Sequence, residues 1–167
     1  MRNFLPLRQI VPQAAWVSIL MHPIGDELFL DWPFMAQMEA LIPLMAGIVR
    51  RYGITRGNIV GHSDVSPARK DDPGELFDWE KLASFRLALP RPSKYLTDPM
   101  WSDASFLLAL ERFGYDVVDS EAAVRAFQRR FRPSCIDGVI DGQCRAMLLS
   151  LLTGGDKGAA TRRGRKG

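Results

Sequence analysis

From Pro33 onward the apolar positions fall at helical steps. Met35, Met38, Leu41, Ile42, Met45, Ile48, Val49 and Tyr52 recur every three or four residues and so share one face of a long helix. Pro33 suits its first turn, Gly53 is a natural stop, and Pro43 removes a backbone hydrogen bond and is expected to kink it. Two other stretches carry a different pattern. Trp16 to Met21 is a short apolar run bounded by His22-Pro23 and Gly25, which predicts a buried strand, and Ile59-Val60 predicts a brief second one. Beyond Pro90, Pro92 and Pro99, three further helices are marked by spacing. Phe106, Leu107, Leu110 and Phe113 define the first, ending at Gly114. Ala123, Val124, Phe127 and Phe131 define the second, with Ser120 as cap candidate, and Ala146, Leu149 and Leu152 the third. Asp-Gly pairs at 137–138 and 141–142 predict the turn between the last two.

Composition narrows this picture little. With 167 residues, 47% hydrophobic and 25% charged, the chain reads as globular and holds one ordinary domain or two small ones. The formal charge of +3 comes largely from Arg162, Arg163, Arg165 and Lys166, which follow the last apolar residue and read as a solvated tail, so nucleic acid is not an expected partner. Cys135 and Cys144 lack the CxxC spacing of a zinc knuckle and form no recognisable disulfide framework. No stretch reaches the roughly 18–20 apolar residues of a membrane span. Nor does the start of the chain show a basic stretch followed by an apolar run and a cleavage site.

The chemistry concentrates between Gly61 and Gly74. His62, Lys70 and Asp72 fall within one irregular segment just after the Ile59-Val60 run, where side chains can be presented to a cleft. A neutral imidazole and a carboxylate are zinc-ligand types, and a catalytic zinc takes three protein ligands plus water. Each residue also has a plainer reading. His62 could be a loop residue, Asp72 a turn former ahead of Pro73-Gly74, and Lys70 a solvated charge. Ser63 and Asp64 read as loop formers that hold the segment's shape.

The full run from Gly61 to Trp79, reading GHSDVSPARKDDPGELFDW, resembles the closing motif of the zinc-dependent N-acetylmuramoyl-L-alanine amidases of the AmpD and AmiD type, which share a fold with peptidoglycan recognition proteins. Asp31-Trp32-Pro33-Phe34 and Gln37 fit the same pattern, so the resemblance runs from about His22 to Trp79. Residues 106–152 separately resemble a three-helix peptidoglycan-binding domain. The resemblance implies Zn2+ as cofactor, His62 and Asp72 as metal ligands, and Lys70 beside the metal as the stabiliser of an oxyanion. The implied reaction is hydrolysis of the amide between the lactyl group of N-acetylmuramic acid and L-alanine, in peptidoglycan or its muropeptide fragments.

It also implies a fold class: an α/β, mixed-sheet amidase domain with covering helices, truncated at its start, followed by a small all-α module. The expected division is 1–90 amidase portion, 91–102 linker, 103–153 peptidoglycan-binding domain and 154–167 basic disordered tail. Two elements of the family pattern lack a counterpart. The early strand with the first zinc histidine is not evident, and aligning Val17 to Pro23 with the glutamate-bearing strand places Ile19 at the glutamate. His22 then matches an asparagine, and it is the alternative candidate for a third ligand. A monomer with little amidase activity is expected, the other reading being a non-catalytic peptidoglycan binder. By family the chain is expected in the cell envelope or periplasm, with the cytoplasm second.

Overall fold

The computed structural model describes residues 31–154 of the chain. Among them the backbone forms six α-helices and a single 3-10 turn at Arg56–Asn58. The first helix, α1 (Asp31–Tyr52), continues through Pro43. It stops where Gly53 takes a left-handed φ of 64° and Ile54 N–H turns back to the Val49 carbonyl at 3.2 Å. One face of α1 is buried, as its spacing dictates. Met38 and Leu41 pack with Trp79 and Leu82 of α3 (Trp79–Ser84) and with Leu87 and Ala88 behind it, while Ile42, Met45, Val49, Ile59 and Phe77 close the edges. Tyr52, placed on the same face by sequence, is 68% exposed.

The α/β expectation is overturned: the described residues contain no strand. Ile59 does have an extended backbone, with φ −98° and ψ 106°. A strand, however, exists through its ladder of partners, and the Ile59 carbonyl accepts from Arg130 Nη2 at 3.0 Å instead of from a neighbouring strand. The proposed partner run, Trp16 to Met21, lies outside the described residues, as do His22 and the basic tail from residue 155 onward.

The remaining helices are α2 (His62–Val65), a single turn, then α4 (Asp103–Phe113), α5 (Ser120–Phe131) and α6 (Gly142–Thr153). The last three form where the sequence spacing predicts them, but α6 turns Cys144, Met147 and Leu148 into the core, while Leu149, expected on the buried face, is only half-buried. Their N-termini are satisfied by side chains: Ser102 Oγ accepts from Ser105 N–H at 3.3 Å, Asp119 from Ala122 N–H at 3.0 Å, and Asp141 from Cys144 N–H at 2.8 Å. The cap of α5 is therefore Asp119, with Ser120 as the first helical residue. Phe106, Leu110, Tyr115, Phe127, Phe131 and Met147 are among the residues of a second apolar core between these helices. Phe127 is fully buried and meets Phe106, Tyr115 and Phe131 with ring centroids 6.0, 6.1 and 5.3 Å away.

Residues 91–102, expected as a linker, contain no helix and lie strapped to α6. Leu96 N–H donates to Ser150 Oγ at 3.0 Å, and the Arg145 guanidinium grips both oxygens of Asp98 at 2.8 and 2.7 Å. The approach is close enough that a Cβ on Gly142 would stand 2.7 Å from Asp98 Oδ2, which explains glycine at the helix start. Arg145 and the Met100 N–H hold the Asp98 pKa down to about 2. The two cysteines are not bridged: Cys144 is buried and Cys135 is exposed.

Candidate functional site

The loop from Gly61 to Gly74 folds back on itself through its own backbone. Ser63 N–H donates to the Asp72 carbonyl at 2.9 Å and joins the two ends. Ser66 N–H reaches the His62 carbonyl at 2.8 Å, and the Arg69 and Lys70 amides both donate to the Ser66 carbonyl at 3.0 Å. Gly61 is dictated by space. A Cβ there would lie 2.5 Å from Cδ of Pro73 and 3.4 Å from the Trp79 ring, so only glycine lets the Asp72-Pro73 end come this close.

This closure brings together two residues ten apart in sequence. His62 Nδ1 and Asp72 Oδ2 are hydrogen-bonded directly to each other at 2.5 Å, with side chains 29% and 45% exposed, so the pair is reachable from solvent. Lys70 lies on the same loop and is exposed. Imidazole nitrogen and carboxylate oxygen are donors that zinc accepts, and in this respect the pair fits a metal position. Among the described residues no group of three histidine, cysteine or acidic side chains forms a fuller ligand set. His22, the alternative third ligand, is outside the described residues.

Behind the loop sits a buried polar network. Asp64 is 2% exposed and its carboxylate is saturated: Oδ2 accepts from Gly61 N–H at 2.8 Å and from Arg130 Nη1 at 2.9 Å, and Oδ1 from the Tyr115 hydroxyl at 2.5 Å. The Arg130 guanidinium lies 3.7 Å from the centre of the Trp79 ring. Burial, followed by the neighbouring negative charge of Asp64, raises the Tyr115 pKa well above its ordinary value, so its hydroxyl remains a donor at any ordinary pH. Next to Arg130, Arg129 Nη2 contacts Asp71 Oδ1 at 2.8 Å.

Asp64 is thus the loop former its sequence context suggests. Arg130 and Tyr115 are not legible from the loop motif alone. One signal for Arg130 was present in the helix pattern: it falls on the buried face of α5 with Ala123, Ala126 and Phe127. An arginine on an apolar face calls for a buried carboxylate.

Comparison with known proteins places this geometry in context. Residues 20–75 match the family profile described as N-acetylmuramoyl-L-alanine amidase. Over 132 residues the chain is 40% identical to N-acetylmuramoyl-L-alanine amidase AmiD of Escherichia coli K12, a match covering 70% of this chain and 48% of that protein. Over 69 residues it is 50% identical to 1,6-anhydro-N-acetylmuramyl-L-alanine amidase AmpD of Haemophilus influenzae, covering 41% of this chain and 35% of that one. The solved structure of Escherichia coli AmiD in complex with the substrate anhydro-N-acetylmuramic acid-L-Ala-D-gamma-Glu-L-Lys superposes with a TM-score of 0.63 at 35% identity, covering 71% of this chain and 52% of that one. The chain spans about half the length of AmiD and about a third of that of AmpD.

Proposed function

We propose, from the premise that this chain belongs with the N-acetylmuramoyl-L-alanine amidases, that its Gly61–Gly74 loop is one side of a zinc amidase site acting on muramoyl peptides. The observation that carries the reading is the direct pairing of the partly exposed His62 Nδ1 and Asp72 Oδ2, two zinc-ligand types ten residues apart, within the segment that matches the family. Zinc held there by His62 and Asp72 would supply Lewis-acid polarisation of an amide carbonyl and would lower the pKa of water toward 7. Lys70, exposed on the same loop, carries an ammonium suited to stabilising the oxyanion that develops as the amide is attacked. The bond broken would join the lactyl group of N-acetylmuramic acid to L-alanine. The solved complex of AmiD contains a substrate of this kind.

Turnover by the 167-residue chain should be slow. On the resemblance read from the sequence, Ile19 stands where the family keeps its glutamate, and loss of a general acid or base costs about 10²-fold or more in rate. The test is to incubate the chain with Zn2+ and a muramoyl-L-Ala peptide and follow release of the L-alanine amino terminus beside Escherichia coli AmiD. Slow release that Asp72→Asn abolishes supports the reading. Release that neither His62→Ala nor Asp72→Asn reduces would place the chemistry elsewhere.

The sequence likeness of residues 106–152 to a three-helix peptidoglycan-binding domain, with an apolar core of their own, supports a second reading, a peptidoglycan-binding role for residues 103–153. Retention on insoluble peptidoglycan with no product released would identify the chain as a binder.

A further inference from the structure

The Arg130 side chain touches the amidase loop at points that bracket both proposed metal positions. One arm, Nη2, donates to the Ile59 carbonyl at 3.0 Å, ahead of His62; the other, Nη1, donates to Asp64 at 2.9 Å, between His62 and Asp72; and its flat face covers Trp79, beyond Asp72. Tyr115, which follows α4, completes Asp64 from the opposite oxygen at 2.5 Å. Asp64 in turn fixes the Gly61 N–H at 2.8 Å, beside His62.

We propose that the helical module acts as a positioning element for the active-site loop, with Arg130 as the positioning residue and Tyr115 as its partner on Asp64. The proposal rests on the reading of His62 and Asp72 as metal positions. A guanidinium can serve all three contacts because it is planar and its donors diverge in a fixed fork. A lysine at the same place can satisfy Asp64 but cannot reach the Ile59 carbonyl while lying flat on Trp79. The helical module is thereby part of the loop's geometry, whatever else it binds.

The test uses the full chain without metal or substrate. Amide hydrogen exchange is compared in wild type, Arg130→Lys, Tyr115→Phe and, as control, Glu121→Ala at an exposed α5 position. The expected result is that Ser63 and Ser66 N–H, which close the loop onto Asp72 and His62, lose about tenfold or more of their protection in Arg130→Lys and a smaller factor in Tyr115→Phe. Phe127 and Met147 amides in the α4 to α6 core should keep theirs, and the ring nitrogen shifts of His62 should move in the two loop variants but not in the control. Tyr115→Phe removes a single hydroxyl and guards against a variant that fails to fold. Unchanged protection of Ser63 and Ser66 overturns the proposal. So does equal loss in loop and core, which would make Arg130 a general stabiliser only. Neither outcome bears on hydrolysis, so failure of the positioning role is distinguishable from failure of the amidase reading.

Discussion

Asp64, buried behind the loop, takes three donors onto two oxygens, and the energetics of the loop follow from that residue. Replacing Arg130 by methionine strands a buried carboxylate and should cost about 3–5 kcal/mol. Tyr115→Phe removes one hydrogen bond to a charged group and should cost about 1.5–3 kcal/mol. Both are readable as shifts in the denaturant midpoint. Gly61→Ala acts by crowding instead: the added methyl meets the Pro73 ring, and relief requires the Asp72 end to move away. A loss of about 1–3 kcal/mol is expected, with a weaker Ser63 amide protection than wild type. At this scale the sequence was legible where chemistry was local. His62, Lys70 and Asp72 stood out in one motif, and Asp64 could be read as a shape former. Arg130 stands 66 residues from Asp64, and no short-range pattern links them.

Among the elements, α5 does most to join the two apolar cores. Its inner face carries Phe127 into the aromatic cluster and Arg130 toward the loop, so it serves packing and site geometry together. Phe127→Ala should cost about 3–5 kcal/mol, enough to unfold a three-helix core of ordinary marginal stability; loss of the near-ultraviolet aromatic signal would report it. The strap formed by Asp98 and Arg145 responds to acid. Its folded-state pKa of about 2 lies below the ordinary 3.8, so its contribution is complete above the ordinary carboxylate range and disappears as pH falls through about 2. Following the Asp98 carboxyl carbon by NMR should give a midpoint near that value, and Asp98→Asn should flatten the stability change of the 91–102 strap over the same window. Helices α4 and α5 are legible because their apolar spacing is regular, whereas α6 is apolar on nearly every side, so its existence but not its buried face can be read. The α5 cap slipped by one because Asp119 and Ser120 are both good cap residues, and only the bond to Ala122 N–H decides between them. The strand at Ile59-Val60 was misread for a different reason. Extended backbone is a local property, but a ladder is not, and the Ile59 carbonyl is committed to Arg130.

Across the whole molecule, the amidase-like segment and the helical module are two apolar cores joined by a buried ion pair, a phenol hydrogen bond and a guanidinium stacked on Trp79. No helix among the described residues is long and apolar enough to cross a membrane. The arrangement backs the loop with buried polar contacts and leaves His62 and Asp72 partly exposed, as the proposed zinc site requires. The most direct measurement is a zinc titration of the full chain by calorimetry, repeated with His62→Ala, Asp72→Asn and His22→Ala. The account predicts one zinc site whose affinity falls by about tenfold or more in each of the first two variants and holds in the third. Zinc binding that survives both His62→Ala and Asp72→Asn unchanged would contradict it.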